Sequence, residues 1–242
     1  LTDNIYLESL KLVSESEYKE EMEYKEDIEQ LSGRMLYKTQ DKPFYILINK
    51  NQFNEQFDFV HTYYHELTHI NDFDRYMNEV KANDIEELKK DKYYWIFYLW
   101  TEFHARYIGY SKFYDYINYV NGYEEDITER INFIEDKEKS FQANYYAKQM
   151  GQYNINIINM PKNIAFQALF YEISQFYGRF SKWKEYGIEF EYTGNVLLNI
   201  FPHVRKELIN YYNILLKCKD YNGYEQHKDE IFDIINDLYK RI

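Results

Sequence analysis

The sequence predicts an α+β fold that is mostly helical. Two short apolar runs, at residues 35–38 and 44–49, have the length and composition of β-strands and flank a turn that contains Pro43. Seven longer stretches instead repeat their apolar residues with the period of a helix. A chain of 242 residues can bury a substantial core, as one large domain or as one domain with a helical extension.

The predicted elements follow one another in a simple order. Residues 1–13 carry a short apolar pattern that fits either a helix or a strand. Ser14 or Ser16 can cap a helix that continues to about Leu31, and Gly33 is expected to end this helix. The two strands come next. After them we predict helices at 54–80, 91–120, 124–150 (one helix or a pair), 163–180, 196–219 and 225–242, a charged connection or short helix at 81–90, a loop at 151–161 and an extended segment at 187–192. The boundary near 121–125 predicts a core of residues 1–120 and a helical C-terminal part of residues 121–242.

Composition narrows the classes of partner and compartment. The net charge of −12 argues against a nucleic-acid backbone or an anionic membrane surface as a direct partner. Cys218 is the one cysteine, so no internal disulfide can form, and we expect it to be a half-buried helical side chain. No apolar run of about 18 residues and no secretion signal is visible, which makes the cytoplasm the expected location.

The most informative stretch is His65-Glu66-Leu67-Thr68-His69, which has the form H-E-x-x-H. Side chains four residues apart share a face of a helix, so both imidazoles can reach one zinc ion. Glu66 lies about 100° further round, where its carboxylate can take a proton from a water molecule that the metal activates. The motif therefore predicts His65 and His69 as metal ligands and Glu66 as a general base.

The flanking residues agree with this prediction when they are placed on a helical wheel. One stripe of the helix is polar, and an apolar face lies beside it. Besides the two motif histidines, the polar stripe contains Asp58, His61, Asp72 and Tyr76, and the apolar face contains Phe59, Tyr63, Leu67, Ile70, Phe73 and Met77. Such a helix is typical of a core that holds a metal ion. The alternative is a pair of histidines on a solvated face.

A catalytic zinc usually has three protein ligands, so a third ligand has to be found. Arg75 stands where an extended motif would place a third histidine, and Asp72 is placed to orient an imidazole from behind. Glu102 and His104 remain, about 200° apart on the next helix, so only one of them can face the metal. Glu102 is favoured because small residues, Ala105 and Gly109, share its face and would allow close approach of the two helices.

Other assignments stay open from the residues alone. A salt bridge to Arg106 is the alternative role for Glu102. His61 could point into the cleft but is more consistent with a surface or supporting position. His104, Tyr107 or a tyrosine of the C-terminal part could stabilise an oxyanion, and nothing in the sequence chooses among them. His203 and His227 lie in C-terminal helices as structural or exposed residues.

Two short strands, the second of them 45–49, lead into the helix of His65 and His69, and the next helix contains Glu102-Phe103-His104-Ala105-Arg106. This order resembles the ImmA/IrrE-type metallopeptidases over roughly residues 30–115. The resemblance implies a zincin-like core and a gluzincin-like zinc endopeptidase, with Glu102 as the third ligand. It also implies a protein substrate, often a transcriptional repressor. The long aromatic helical region after residue 120 departs from that family.

The sequence thus favours a zinc metallopeptidase that cleaves a specific protein, with the peptide antiparallel to the strand at 44–49. The rival hypothesis is a binding module that holds a partner through its aromatic helices and cleaves little, with or without zinc. An enzyme that hydrolyses a non-peptide amide at the same zinc site is a third alternative. Glu66 discriminates between hydrolase and binder, because only a hydrolase requires a carboxylate there.

Overall fold

The computed structural model describes residues 1–13, 22, 25–39, 42–52, 56–121, 161–185 and 202–242. Within this part of the chain, helices dominate and two antiparallel strands form one small sheet, as the α+β, mostly α prediction requires. The helices are α1 (Ile5–Leu12), α2 (Lys25–Glu29), α3 (Gln56–Val80), α4 (Ile85–Leu88), α5 (Tyr94–Asn121), α6 (Lys162–Glu185), α7 (Arg205–Lys217) and α8 (Tyr221–Arg241), and the strands are β1 (Gly33–Leu36) and β2 (Tyr45–Ile48).

Several predicted features lie outside the described residues. They are the Ser14 or Ser16 cap, the helix at 124–150, almost all of the loop at 151–161 and the extended segment at 187–192. The predicted domain boundary near 121–125 falls where the description of the chain stops, so it stays a prediction.

The sheet pairs β1 with β2 so that Gly33 lies opposite Ile48 and Leu36 opposite Tyr45. The outer edge of β2 is occupied at its end by Thr2, whose N–H donates to Ile48 O at 2.9 Å and whose carbonyl accepts from Lys50 N at 3.0 Å. Side chains of α1 and α2 bury a small apolar core beside this sheet: Ile5, Tyr6 and Ile28, flanked by Leu10 and Leu47. The N-terminal residues are thereby built into the sheet region.

Gly33 has a different role from the predicted one. Helix α2 ends at Glu29, and Gly33 is the first residue of β1. A Cβ atom at Gly33 would overlap the methyl group of Thr62 and lie 3.2 Å from Glu66 Cγ. The glycine is therefore required because the strand backbone lies directly against α3, at the residue predicted as the general base.

The backbone contacts divide the chain into two compact units. The first contains residues 1–94 and 108–117, and the second contains residues 95–107 and 118–242, so that the continuous helix α5 contributes to both. In the second unit, α7 packs against α8. Helix α8 begins four residues earlier than predicted because the Asp220 side chain caps it, accepting from Gly223 N at 2.8 Å.

Helices α3 and α5 agree with their predicted spans to within a few residues, whereas α6 extends to Glu185 where an end at 180 was predicted. Helix α3 spans Gln56–Val80 where 54–80 was predicted, and α5 spans Tyr94–Asn121 where 91–120 was predicted. None of the helices in the described part of the chain combines the length and the apolar character that a membrane crossing requires.

Candidate metal centre

The described part of the polar stripe of α3 is mostly buried, and so is Glu66 beside it. His65, Glu66 and His69 are each less than a tenth exposed, and Asp72 and Tyr76 are fully buried. The predicted apolar face is buried only in its C-terminal half, at Phe73 and Met77, whereas Tyr63 and Leu67 are 37% and 38% exposed. Tyr63 and Leu67 therefore belong to the apolar face without being part of the buried core.

Two glycines from other elements pack closely against α3 on this side of the helix. Gly33 lies against Thr62 and Glu66, and Gly109 of α5 lies against His61. A Cβ atom at Gly109 would be 3.0 Å from both the ring and the carbonyl oxygen of His61. The prediction that a small residue on α5 allows close approach to the motif helix is thus confirmed at Gly109. Two glycine backbones therefore pack closely on α3, at Thr62 and Glu66 and at His61.

Three buried side chains converge at this place. One ligand-type atom from each of His65, His69 and Glu102 lies within 4.8 Å of the other two, and this is the one such group of three or more among the described residues. Glu102 is 4% exposed and lies in the N-terminal third of α5. The group could hold a metal ion, because it brings two imidazole nitrogens and a carboxylate oxygen close together.

The spacing of the two histidines fits a shared ion. Their Nε2 atoms are 3.1 Å apart and their rings are perpendicular, with centroids 4.6 Å apart. Two nitrogens that ligate one tetrahedral zinc ion at ordinary bond lengths are about 3.3 Å apart. The same contact can be a hydrogen bond when one of the nitrogens carries a proton.

The other candidates for a third ligand are not part of the group. His104 is buried on another side of α5, where its ring stacks on Trp100 at 5.0 Å between centroids. Asp72 follows His69 by three residues on α3, and whether it orients an imidazole stays a prediction. His61 is half-buried, and its ring centroid is 4.3 Å from that of Tyr110 and 5.9 Å from that of His65. It therefore borders the predicted ligands without joining them.

Glu102 has a partner that sequence analysis missed. Gln175 of α6 donates from Nε2 to Glu102 Oε2 at 2.9 Å. The Gln175 Oε1 atom in turn accepts from Arg106 Nε at 3.1 Å and from Arg106 Nη2 at 2.8 Å. Burial, with the Glu102 carboxylate adding to it, raises the pKa of Tyr171 well above its ordinary value. No local pattern indicates Gln175, because it lies in a helix far along the chain.

Tyr107, one of the candidates for an oxyanion donor, belongs to a charged cluster in the second unit. Its hydroxyl donates to the Glu185 carboxylate at 3.0 and 3.2 Å, and Lys182 and Lys219 lie over its ring and pair with Glu185. Burial alone would raise the pKa of Glu185, but hydrogen bonds from Lys182, Lys219 and Tyr107 lower it to about 2. We call these four residues the Glu185 cluster.

The remaining residues from the sequence analysis have structural or exposed positions. His203 is exposed, and His227 Nδ1 lies 3.3 Å from Glu230 Oε2. Cys218 is fully buried at the end of α7, where burial raises its pKa to about 12. The expectation that it is half-buried within a helix was wrong, because its side chain is fully buried and it follows the last residue of α7. Its backbone carbonyl accepts a hydrogen bond from Trp100 Nε1 at 2.7 Å.

Comparison with protein-family models, with curated proteins and with solved structures found no match for this chain.

Proposed function

We propose that this chain is a zinc-dependent metallopeptidase with a zincin-like core that hydrolyses peptide bonds of a specific protein. The observation that supports it is the buried group of His65, His69 and Glu102. Two imidazoles and one carboxylate also suit iron(II). Zinc hydrolysis is favoured because Glu66, within the same helical turn, gives the site a base, which a purely structural or redox metal would not need.

The metal ion and Glu66 have different roles in the hydrolysis. When bound, zinc would polarise a peptide carbonyl and lower the pKa of a water molecule. Glu66 accepts the proton of the attacking water and passes it to the leaving amine. Its packing against Gly33, with only 8% of the residue exposed, restricts the rotamers of the carboxylate and reduces its hydration.

The small sheet offers a place for an extended peptide. The edge of β2 could pair with a substrate strand by backbone hydrogen bonds, antiparallel to it. Thr2 already occupies that edge at Ile48 and Lys50. An added peptide would therefore pair with the part of β2 before Ile48. The resemblance to ImmA/IrrE-type metallopeptidases favours a folded partner protein, such as a transcriptional repressor, as the source of this peptide.

Comparing Glu66→Gln with the wild type tests the proposal. Both proteins, loaded with zinc, are incubated with a random-sequence peptide library, and new termini are identified by mass spectrometry. We expect cleavage by the wild type, loss of cleavage by at least about 100-fold in Glu66→Gln, and nearly unchanged zinc binding. Glu79→Gln, an exposed glutamate of the same helix, is the matched control and should cleave like the wild type.

Two outcomes would contradict the peptidase. Equal cleavage by Glu66→Gln would remove the proposed base. Zinc binding by the wild type without any new termini, in the library or in a repressor substrate, would instead favour a binding module with a zinc site.

A further inference from the structure

Glu102 is held by a directed chain of hydrogen bonds that runs between two helices. Arg106 donates twice to Gln175 Oε1, and Gln175 Nε2 donates to Glu102 Oε2 at 2.9 Å. The donors and acceptors determine the direction of this series of hydrogen bonds. A guanidinium can only donate, so the amide oxygen must face Arg106 and the amide NH₂ must face the carboxylate.

A glycine of α6 allows these side chains to come together. Gly178 lies one turn after Gln175 in α6, and its Cα packs against the backbone of α5. A Cβ atom at Gly178 would be 2.8 Å from Arg106 Cβ and would overlap the carbonyl oxygen of Phe103. The glycine therefore allows the contact of α6 with α5 at which Gln175 reaches both Glu102 and Arg106.

The position of a neutral amide next to Glu102 has a consequence for cation binding. Direct pairing with an arginine would place a fixed positive charge on the carboxylate, in competition with a metal ion. The Gln175 amide binds Oε2 without bringing a full charge, while Arg106 fixes the rotamer of the amide from its other end. The hydrogen bond to Oε2 therefore restricts the rotation of the Glu102 carboxylate.

We propose that Gln175 is a positioning residue for the metal site, oriented by Arg106, and that it holds the Glu102 carboxylate in the geometry that binds the ion. This inference rests on the proposed function, because it takes Glu102 as a ligand. Hydrogen-bond partners behind a metal ligand typically change metal affinity by about 10- to 100-fold when they are removed. Gln175 should therefore have an effect of this size.

The test measures the zinc dissociation constant by competition with a chromophoric chelator. Gln175→Met keeps the length of the side chain and removes all three hydrogen bonds of the amide, and we expect a dissociation constant about 10- to 100-fold higher than in the wild type. Gln167→Met, an exposed glutamine of the same helix, is the matched control and should bind within about 2-fold of the wild type. The absorption spectrum of the cobalt(II)-loaded protein should change in Gln175→Met only.

Thermal unfolding of the metal-free proteins identifies a variant that fails to fold. In that case Arg106→Met decides, because it frees the amide to rotate while Gln175 remains, and it should weaken zinc binding in the same direction by a smaller factor. A folded Gln175→Met that binds zinc like the wild type would overturn the inference alone. A wild type that binds no zinc would overturn this inference and the proposed function together.

Discussion

With the proposed zinc site, adding zinc should raise the unfolding temperature of this protein, and replacing Glu102 should remove most of that rise. The side chains of His65, His69 and Glu102 are almost completely buried, so an ion bound by all three would contact only the folded state. In the unfolded chain Glu102 is far along the sequence from the two histidines. An ion that binds the native state alone stabilises it by mass action.

The magnitude follows from the concentration of free zinc. At about 1,000-fold above the dissociation constant, binding stabilises the native state by about 4 kcal/mol. For a chain of this size each kcal/mol shifts the unfolding temperature by about 2–4 °C, so the total shift is about 8–16 °C. Glu102→Gln keeps the size of the side chain and removes its charge, and it should lose most of this shift.

Differential scanning calorimetry with zinc and then with excess chelator measures the effect. The wild type should shift, Glu102→Gln should shift little, and Glu79→Gln, an exposed control, should behave as the wild type does. If the wild type unfolds at the same temperature with zinc and with chelator, these three side chains do not form a metal site, and the reasoning from their proximity is refuted.

Two further predictions concern packing and pH. Gly33→Ala should lower the free energy of unfolding by about 1–3 kcal/mol in urea titrations, because its methyl group overlaps that of Thr62. Adding Thr62→Ser, which removes that methyl group, should restore part of the loss, and an unchanged stability of Gly33→Ala would contradict the close approach. The second prediction starts from the pKa of Glu185, which is lowered from its ordinary value of 4.5 to about 2. A carboxyl group whose pKa is lower in the folded state stabilises that state above its unfolded pKa and loses this contribution as the pH falls through its folded pKa. The free energy of unfolding should therefore fall more steeply between pH 4.5 and 2 in the wild type than in Glu185→Gln, and equal slopes would refute the assignment.

The candidate ligands on α3 could be predicted from the sequence because the information is local. The spacing of His65 and His69 places both imidazoles on one face of any helix, whatever surrounds it. The long helices could be predicted for the same reason, since their period extends over many residues. Glu102 could be favoured over His104 because small residues share its face, and Gly109 does lie against the motif helix.

Short elements and burial were less predictable. A glycine after a helical pattern is typical of a helix end, which is how Gly33 was interpreted. In the structure its lack of a side chain leaves room for the Thr62 methyl group, which belongs to another element. The exposure of Tyr63 and Leu67 likewise depends on which elements pack on α3. A hydrophobic pattern identifies the faces of a helix, and only the packing decides which of them is buried.

The sequence by itself determined the H-E-x-x-H helix, the mostly helical α+β class and the residues able to bind a cation or move a proton. Only the tertiary structure decided that Glu102 meets both histidines in a buried place, and that Gln175 and Arg106 stand behind it. The physical reason is range. Helical periodicity is set by neighbouring residues, whereas a carboxylate and its amide partner on separate helices meet only when those helices pack.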